Sequence, residues 1–110
     1  MVKLTGEVHG CPLSDFDKLP VYYNHNYHTG PLGVVDFNHI TLFHPEQNLI
    51  YLIENGIIYI VCGGVIVNGE EKITEISLTT IPLEPDKATK ASIVEPSDWE
   101  NLYPCWSVDF

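Results

Sequence analysis

The chain has 110 residues, a length that predicts one domain of 1–110. Its 45% hydrophobic and 18% charged content argues for a packed core and against disorder. Fifteen acids against five lysines give a net charge of −10, and there is no arginine to fork onto phosphates or guanine edges. Direct nucleic-acid binding and anionic membrane surfaces are therefore excluded as expectations, and a basic protein surface is the partner that the charge favours.

The first element is a strand over residues 2–8, which also lacks the apolar stretch of a secretory leader. A segment rich in Gly, Pro and Asn follows. Within it residues 14–19 read as a short helical turn, capped by Ser14 and stopped by Pro20. Residues 34–43 read as a second strand, ended by His44-Pro45. The clearest pattern lies beyond. Residues 49–54, 57–67 and 70–81 read as three strands joined by two Asn-Gly turns, Asn55-Gly56 and Asn68-Gly69. Counting outward from the turns pairs Leu52 with Tyr59, Ile50 with Val61, Val61 with Ile76 and Tyr59 with Leu78. That pairing makes an apolar core face of these six residues.

The opposite face would carry Leu49, Tyr51, Ile53, Ile58, Ile60 and Cys62, shading to Glu75, Ser77 and Thr79. A strand apolar on both sides must be covered on both sides. The cover would come from the N-terminal lead-in, the aromatic C-terminal segment or a second copy of the chain. Gly63-Gly64 interrupts the middle strand and predicts a bulge or bend. The expected fold is all-β or β-rich α+β, an antiparallel meander forming a bent sheet or small barrel with one or two short helical turns. One such turn is expected over residues 98–102, where Ser97-Asp98-Trp99-Glu100 has capping-box form. Residues 105–110 would be a last strand or an arm.

The longest uncharged apolar run, residues 56–67, is 12 residues and too short to span a bilayer as a helix. Cys11, Cys62 and Cys105 form no Cys-x-x-Cys pair and read as free thiols. A soluble, cytoplasmic protein is expected. Four histidines, His25, His28, His39 and His44, fall in one region. His25 and His28 are a weak metal pair, because Asn, Gly and Pro around them predict a loop, where an i, i+3 spacing sets no common face. No nucleophile elbow, phosphate loop or other cofactor motif occurs, so neither catalytic residues nor cofactors are assigned.

The C-terminal stretch interleaves acids with aromatic residues: Glu95, Asp98, Trp99, Glu100, Tyr103, Trp106 and Asp109. Tryptophan and tyrosine anchor interfaces, and carboxylates around them suit a basic partner. The plainer reading has both tryptophans sealing the second sheet face. On composition, small acidic inhibitors are the closest functional type, including immunity proteins and phage-encoded antagonists of host defence. The sequence thus predicts a non-catalytic protein that blocks a basic surface of its partner. One alternative is a small-molecule or metal-binding β-barrel, with or without catalysis, built around His25, His28, His39 and His44. Another is a homo-oligomeric structural subunit, in the simplest case a homodimer, that buries Tyr51, Ile53, Ile58 and Ile60.

Overall fold

The structure, a computed structural model, describes residues 1–102. Among the described residues there are ten strands: β1 (Val2–Thr5), β2 (Glu7–Val8), β3 (Cys11–Pro12), β4 (Pro20–Tyr23), β5 (Gly33–Asp36), β6 (His39–Leu42), β7 (Tyr59–Val67), β8 (Glu70–Thr79), β9 (Thr89–Lys90) and β10 (Ser92–Val94). One α-helix, α1 (Gln47–Glu54), and 3-10 turns at Leu13–Phe16, Tyr27–Thr29 and Pro96–Leu102 complete them. Eight strands form one sheet in the order β10-β1-β6-β5-β4-β8-β7-β9, and β2 and β3 form a separate small ladder. All pairings are antiparallel except β4 with β8. The two edges of the large sheet belong to one short stretch of chain. Residues 89–90 pair with β7, residues 92–94 pair with β1, and Ala91 between them donates its N–H to Ile58 O at 3.0 Å. The sheet is thereby drawn into a nearly closed barrel, which largely removes its free edges.

Leu4, Val21, Val35, Ile40, Leu42, Ile58, Ile60, Ile76 and Leu78 fill the interior, with Leu49 and Ile53 of α1 packed against them. The β-rich expectation holds, but one of its strands does not. Residues 49–54 are helical, because apolar positions 49, 50, 52 and 53 also match a 3.6-residue period. Leu49 and Ile53, one turn apart, are buried, while Tyr51 and Glu54 are exposed. Asn55-Gly56 is accordingly a helix stop and not a hairpin turn. Gly56 has φ +68, its N–H bonds Ile53 O at 3.0 Å, and Ile57 N–H bonds Leu52 O at 3.1 Å. This is the Schellman pattern, in which glycine takes the left-handed position just past the helix. The expected pairing of Leu52 with Tyr59 and of Ile50 with Val61 is lost with the strand.

Asn68-Gly69 is the hairpin turn it reads as, with both residues at positive φ, joining β7 to β8. Gly63-Gly64 does mark a bulge, and its effect is larger than a local bend. The register slips there by one residue, so that Val61 faces Ser77, Cys62 faces Ile76 and Tyr59 faces Thr79. Residues 34–43 also divide, into β5 and β6 around Phe37-Asn38, with Phe37 at φ +63. The early helical turn begins at Leu13 after Pro12, without a side-chain cap from Ser14. Among the described residues, no helix is long and apolar enough to cross a membrane.

Candidate functional site

Where β4 ends, the chain makes a tight turn at Asn24-His25. Both residues have positive φ (+49 and +58), and Asn26 N–H closes the turn on Tyr23 O at 2.9 Å. This is a type I′ geometry, which glycine usually supplies at the second position. Histidine occupies it because β8 holds it there. His25 N–H donates to Ser77 Oγ at 2.8 Å, and Ser77 Oγ in turn donates to Tyr22 O at 3.0 Å. The His25 ring nitrogen Nδ1 lies 2.7 Å from Glu75 Oε1, and the Tyr27 hydroxyl donates to the same oxygen at 2.7 Å.

Glu75 is the unusual member of the group. Its side chain is 1% exposed, whereas His25 keeps 43% of its side chain in solvent. Oε1 carries both hydrogen bonds, while Oε2 is buried with no hydrogen-bond partner among the described residues. Room for the carboxylate comes from Gly63, the cross-strand partner of Glu75. A β-carbon on Gly63 would overlap Oε1 and stand 3.0 Å from His25 Nδ1. The carboxylate also pushes the Tyr27 phenol above its ordinary pKa, chiefly through their hydrogen bond. With Nδ1–H donating to the carboxylate, an imidazole that carries no second proton presents Nε2 as an acceptor.

His25 is one wall of an open cleft of about 500 Å3, which His9, Asn24, Val61, Thr79 and the segment Ile81–Glu84 also line. His9 takes positive φ (+50) in the two-residue β2–β3 loop, so three non-glycine lining residues have left-handed backbone. The Cys62 thiol, which borders the cleft, is pushed up mainly by burial and secondarily by Glu71, and this disfavours the nucleophilic thiolate.

The four clustered histidines are dispersed by the fold. His28 is exposed on the 3-10 turn at Tyr27–Thr29, and His44 borders a second cleft beside Tyr23 and α1. His39 is fully buried on β6, with Lys3 Nζ 3.3 Å and Asp36 Oδ2 3.5 Å from its Nε2. Among the described residues, no three His, Cys, Asp or Glu side chains come together as a metal site. The weak His25/His28 pair therefore acquires no third ligand there.

No family model, curated protein or solved structure matches the chain. Geometry alone must sort its surfaces. Of the acidic and aromatic C-terminal set, Glu95, Asp98 and Glu100 are exposed. Trp99 instead packs on the barrel, donating Nε1–H to Val94 O at 3.1 Å, with Lys3 Nζ 5.4 Å from its ring centre. Tyr103, Trp106 and Asp109 lie outside the described residues. The expected oligomer face is corrected outright: Ile53, Ile58 and Ile60 are core residues, and Tyr51 alone of the four is exposed. They fail to share a face because Tyr51 and Ile53 sit on a helix and the other two point into the barrel.

A surface that the sequence reading passed over lies at the end of the β7–β8 hairpin. Among the described residues, β9 accompanies β7 only at Tyr59 and Ile60, and β4 accompanies β8 only at Ile76–Leu78. The remainder is a two-stranded arm, with Val65 paired to Lys72, Ile66 to Glu71 and Val67 to Glu70. Val65, Ile66 and Val67 are all exposed, Ile66 at 78%. The sequence signal for it is the run of three adjacent β-branched residues directly before the Asn68-Gly69 turn, beyond the reach of the neighbouring strands.

Proposed function

We propose that this chain is a non-catalytic binding protein that blocks a basic surface of a partner protein, with the β7–β8 arm as its apolar contact. The observation that carries this reading is the Val65-Ile66-Val67 run, exposed on an arm whose other strand begins Glu70-Glu71. Contiguous exposed apolar residues with a polar border are the usual mark of an interaction surface. The net charge of −10 and the absence of arginine favour a cationic partner, drawn in by long-range attraction and then held by desolvated apolar contact. The exposed Glu95, Asp98 and Glu100 add to the same field. A second copy of the chain fits less well, because each copy brings ten surplus negative charges to the contact.

The test compares tagged wild type with Ile66→Asp, each purified from the cells that make it at about 50 and about 500 mM salt. A partner with a basic surface should accompany the wild type at low salt, and be lost both at high salt and from the variant. Retention of that partner by Ile66→Asp, or equal retention at both salts, refutes the reading.

A further inference from the structure

We propose that the cleft beside His25 is a binding site for a small neutral molecule with an apolar body and a hydroxyl group, the hydroxyl donating to His25 Nε2. The inference is independent of the partner-blocking role and rests on different residues.

Polar recognition is built before any ligand arrives. Glu75 and Tyr27 fix the imidazole on its Nδ1 side, Ser77 fixes the backbone, and the ring remains partly open to solvent. A histidine whose orientation and tautomer are set by a buried carboxylate is a prepared acceptor, as it is where such pairs bind or activate hydroxyl groups. Holding Glu75 at 1% exposure with Oε2 unpartnered among the described residues is costly. Three of the six described non-glycine residues with left-handed backbone, His9, Asn24 and His25, lie on the same walls, and such conformations cluster at functional sites.

The apolar half of the site is equally specific. Val61 forms its floor, and Ile81 and Leu83 stand on its rim at 81% and 97% exposure. An occupant would cover both. A volume of about 500 Å3 lies in the ordinary range for small-molecule sites. Charge narrows the class further. The ionisable groups on the lining are His9, His25, Cys62 and Glu84, with Glu75 behind His25 and no lysine among them. Carboxylates and phosphates are thereby opposed, and a neutral hydroxyl is matched to the acceptor.

The probe is 4-methylphenol, titrated into the 15N-labelled chain and followed by amide shifts and calorimetry, with toluene and 4-methylbenzoate alongside. Saturable shifts at Asn24, His25, Val61 and Thr79 are expected with 4-methylphenol, and affinity at least about tenfold weaker for the other two compounds. His25→Asn keeps a residue that tolerates the left-handed backbone while removing Nε2, and should also weaken binding by about tenfold. Leu83→Asp, at a position too exposed to matter for folding, should abolish it, and His28→Asn should leave it unchanged. Absence of saturable binding overturns the proposal, as do equal affinity for toluene, unchanged affinity in both His25→Asn and Leu83→Asp, or shifts that map to another surface.

Discussion

Replacing Gly63 with alanine isolates what the buried carboxylate costs and what it needs. The added methyl would overlap Glu75 Oε1 and lie 2.9 Å from Cδ and 3.0 Å from His25 Nδ1, where unstrained carbon contacts are about 3.5–4.0 Å. Glu75 must move, and because it is buried it can move only by releasing His25 and Tyr27. A buried group left unsatisfied costs about 1–3 kcal/mol, more when charged. Exchanging glycine for alanine in a strand returns roughly 0.5–1 kcal/mol of chain entropy. The net destabilisation should be roughly 1–2 kcal/mol, allowing for the partial exposure of His25. In urea, with a slope of about 1–3 kcal/mol per molar, the midpoint should fall by about 0.5–1 M. The same substitution in a Glu75→Ala background, where the carboxylate is gone and only the contact with the partly exposed His25 ring remains, should be neutral or stabilising. Equal loss in both backgrounds would refute the account, and would mean that Gly63 serves the β7 backbone and not the carboxylate.

Ile60→Ala should cost about 2–5 kcal/mol in the same assay, because Ile60 is fully buried in the core and the barrel cannot collapse onto the gap. Ile66→Asp, on the exposed arm, should stay within about 0.5 kcal/mol of wild type, so that a large loss would mean the arm is packed. His39 supplies a pH dependence. Burial, then Lys3, pushes its imidazole below the usual histidine range, with Asp36 partly opposing, and Asn38 and Thr41 border the same cluster. The unfolded chain then takes up a proton more readily than the folded one, so this contribution is intact above about pH 6.5 and is lost as pH falls toward the depressed folded value. Wild type should lose urea midpoint between about pH 7.5 and 5.5, and His39→Gln should lose less over the same range. Parallel profiles would contradict that sign.

The parts of the fold legible in the sequence were those with local causes. Asn68-Gly69 is a hairpin turn because both residues accept left-handed backbone, and Gly63-Gly64 marks the register slip because β8, with Thr74 left unpaired, approaches there too closely for a side chain. Asn55-Gly56 has the same two letters and the opposite meaning. Its glycine terminates a helix, and only the spacing of Leu49, Ile50, Leu52 and Ile53 separates the two outcomes over so short a run. The site was less legible for a different reason. Glu75, Ser77 and Thr79 do share the less apolar face of β8, as alternation predicts, yet His25 meets Glu75 only because parallel β4 delivers its turn beside that strand. No local pattern encodes a contact across fifty residues.

The register slip ties these observations together. Turn geometry at Asn68-Gly69 pairs Val67 with Glu70, and continuing that count would set Val61 against Ile76 and Cys62 against Glu75. Ile60, facing the core, would then oppose Ser77, and the glutamate would share the interior face with Cys62, where an unpaired charge is far more expensive than at the loop side. Leaving Thr74 without a partner between Ile73 and Glu75 moves the count by one. Ile76 and Leu78 then join Cys62 and Ile60 on the interior, while Glu75 lands opposite Gly63, whose missing side chain accommodates it. One extra residue in β8 thus reconciles the turn with the barrel, keeps the carboxylate out of the core and aims it at His25. The slip also marks where the arm begins. Beyond it the ribbon leaves the barrel strands that would otherwise cover Val65, Ile66 and Val67, so the feature that sets Glu75 against His25 also leaves these three residues exposed.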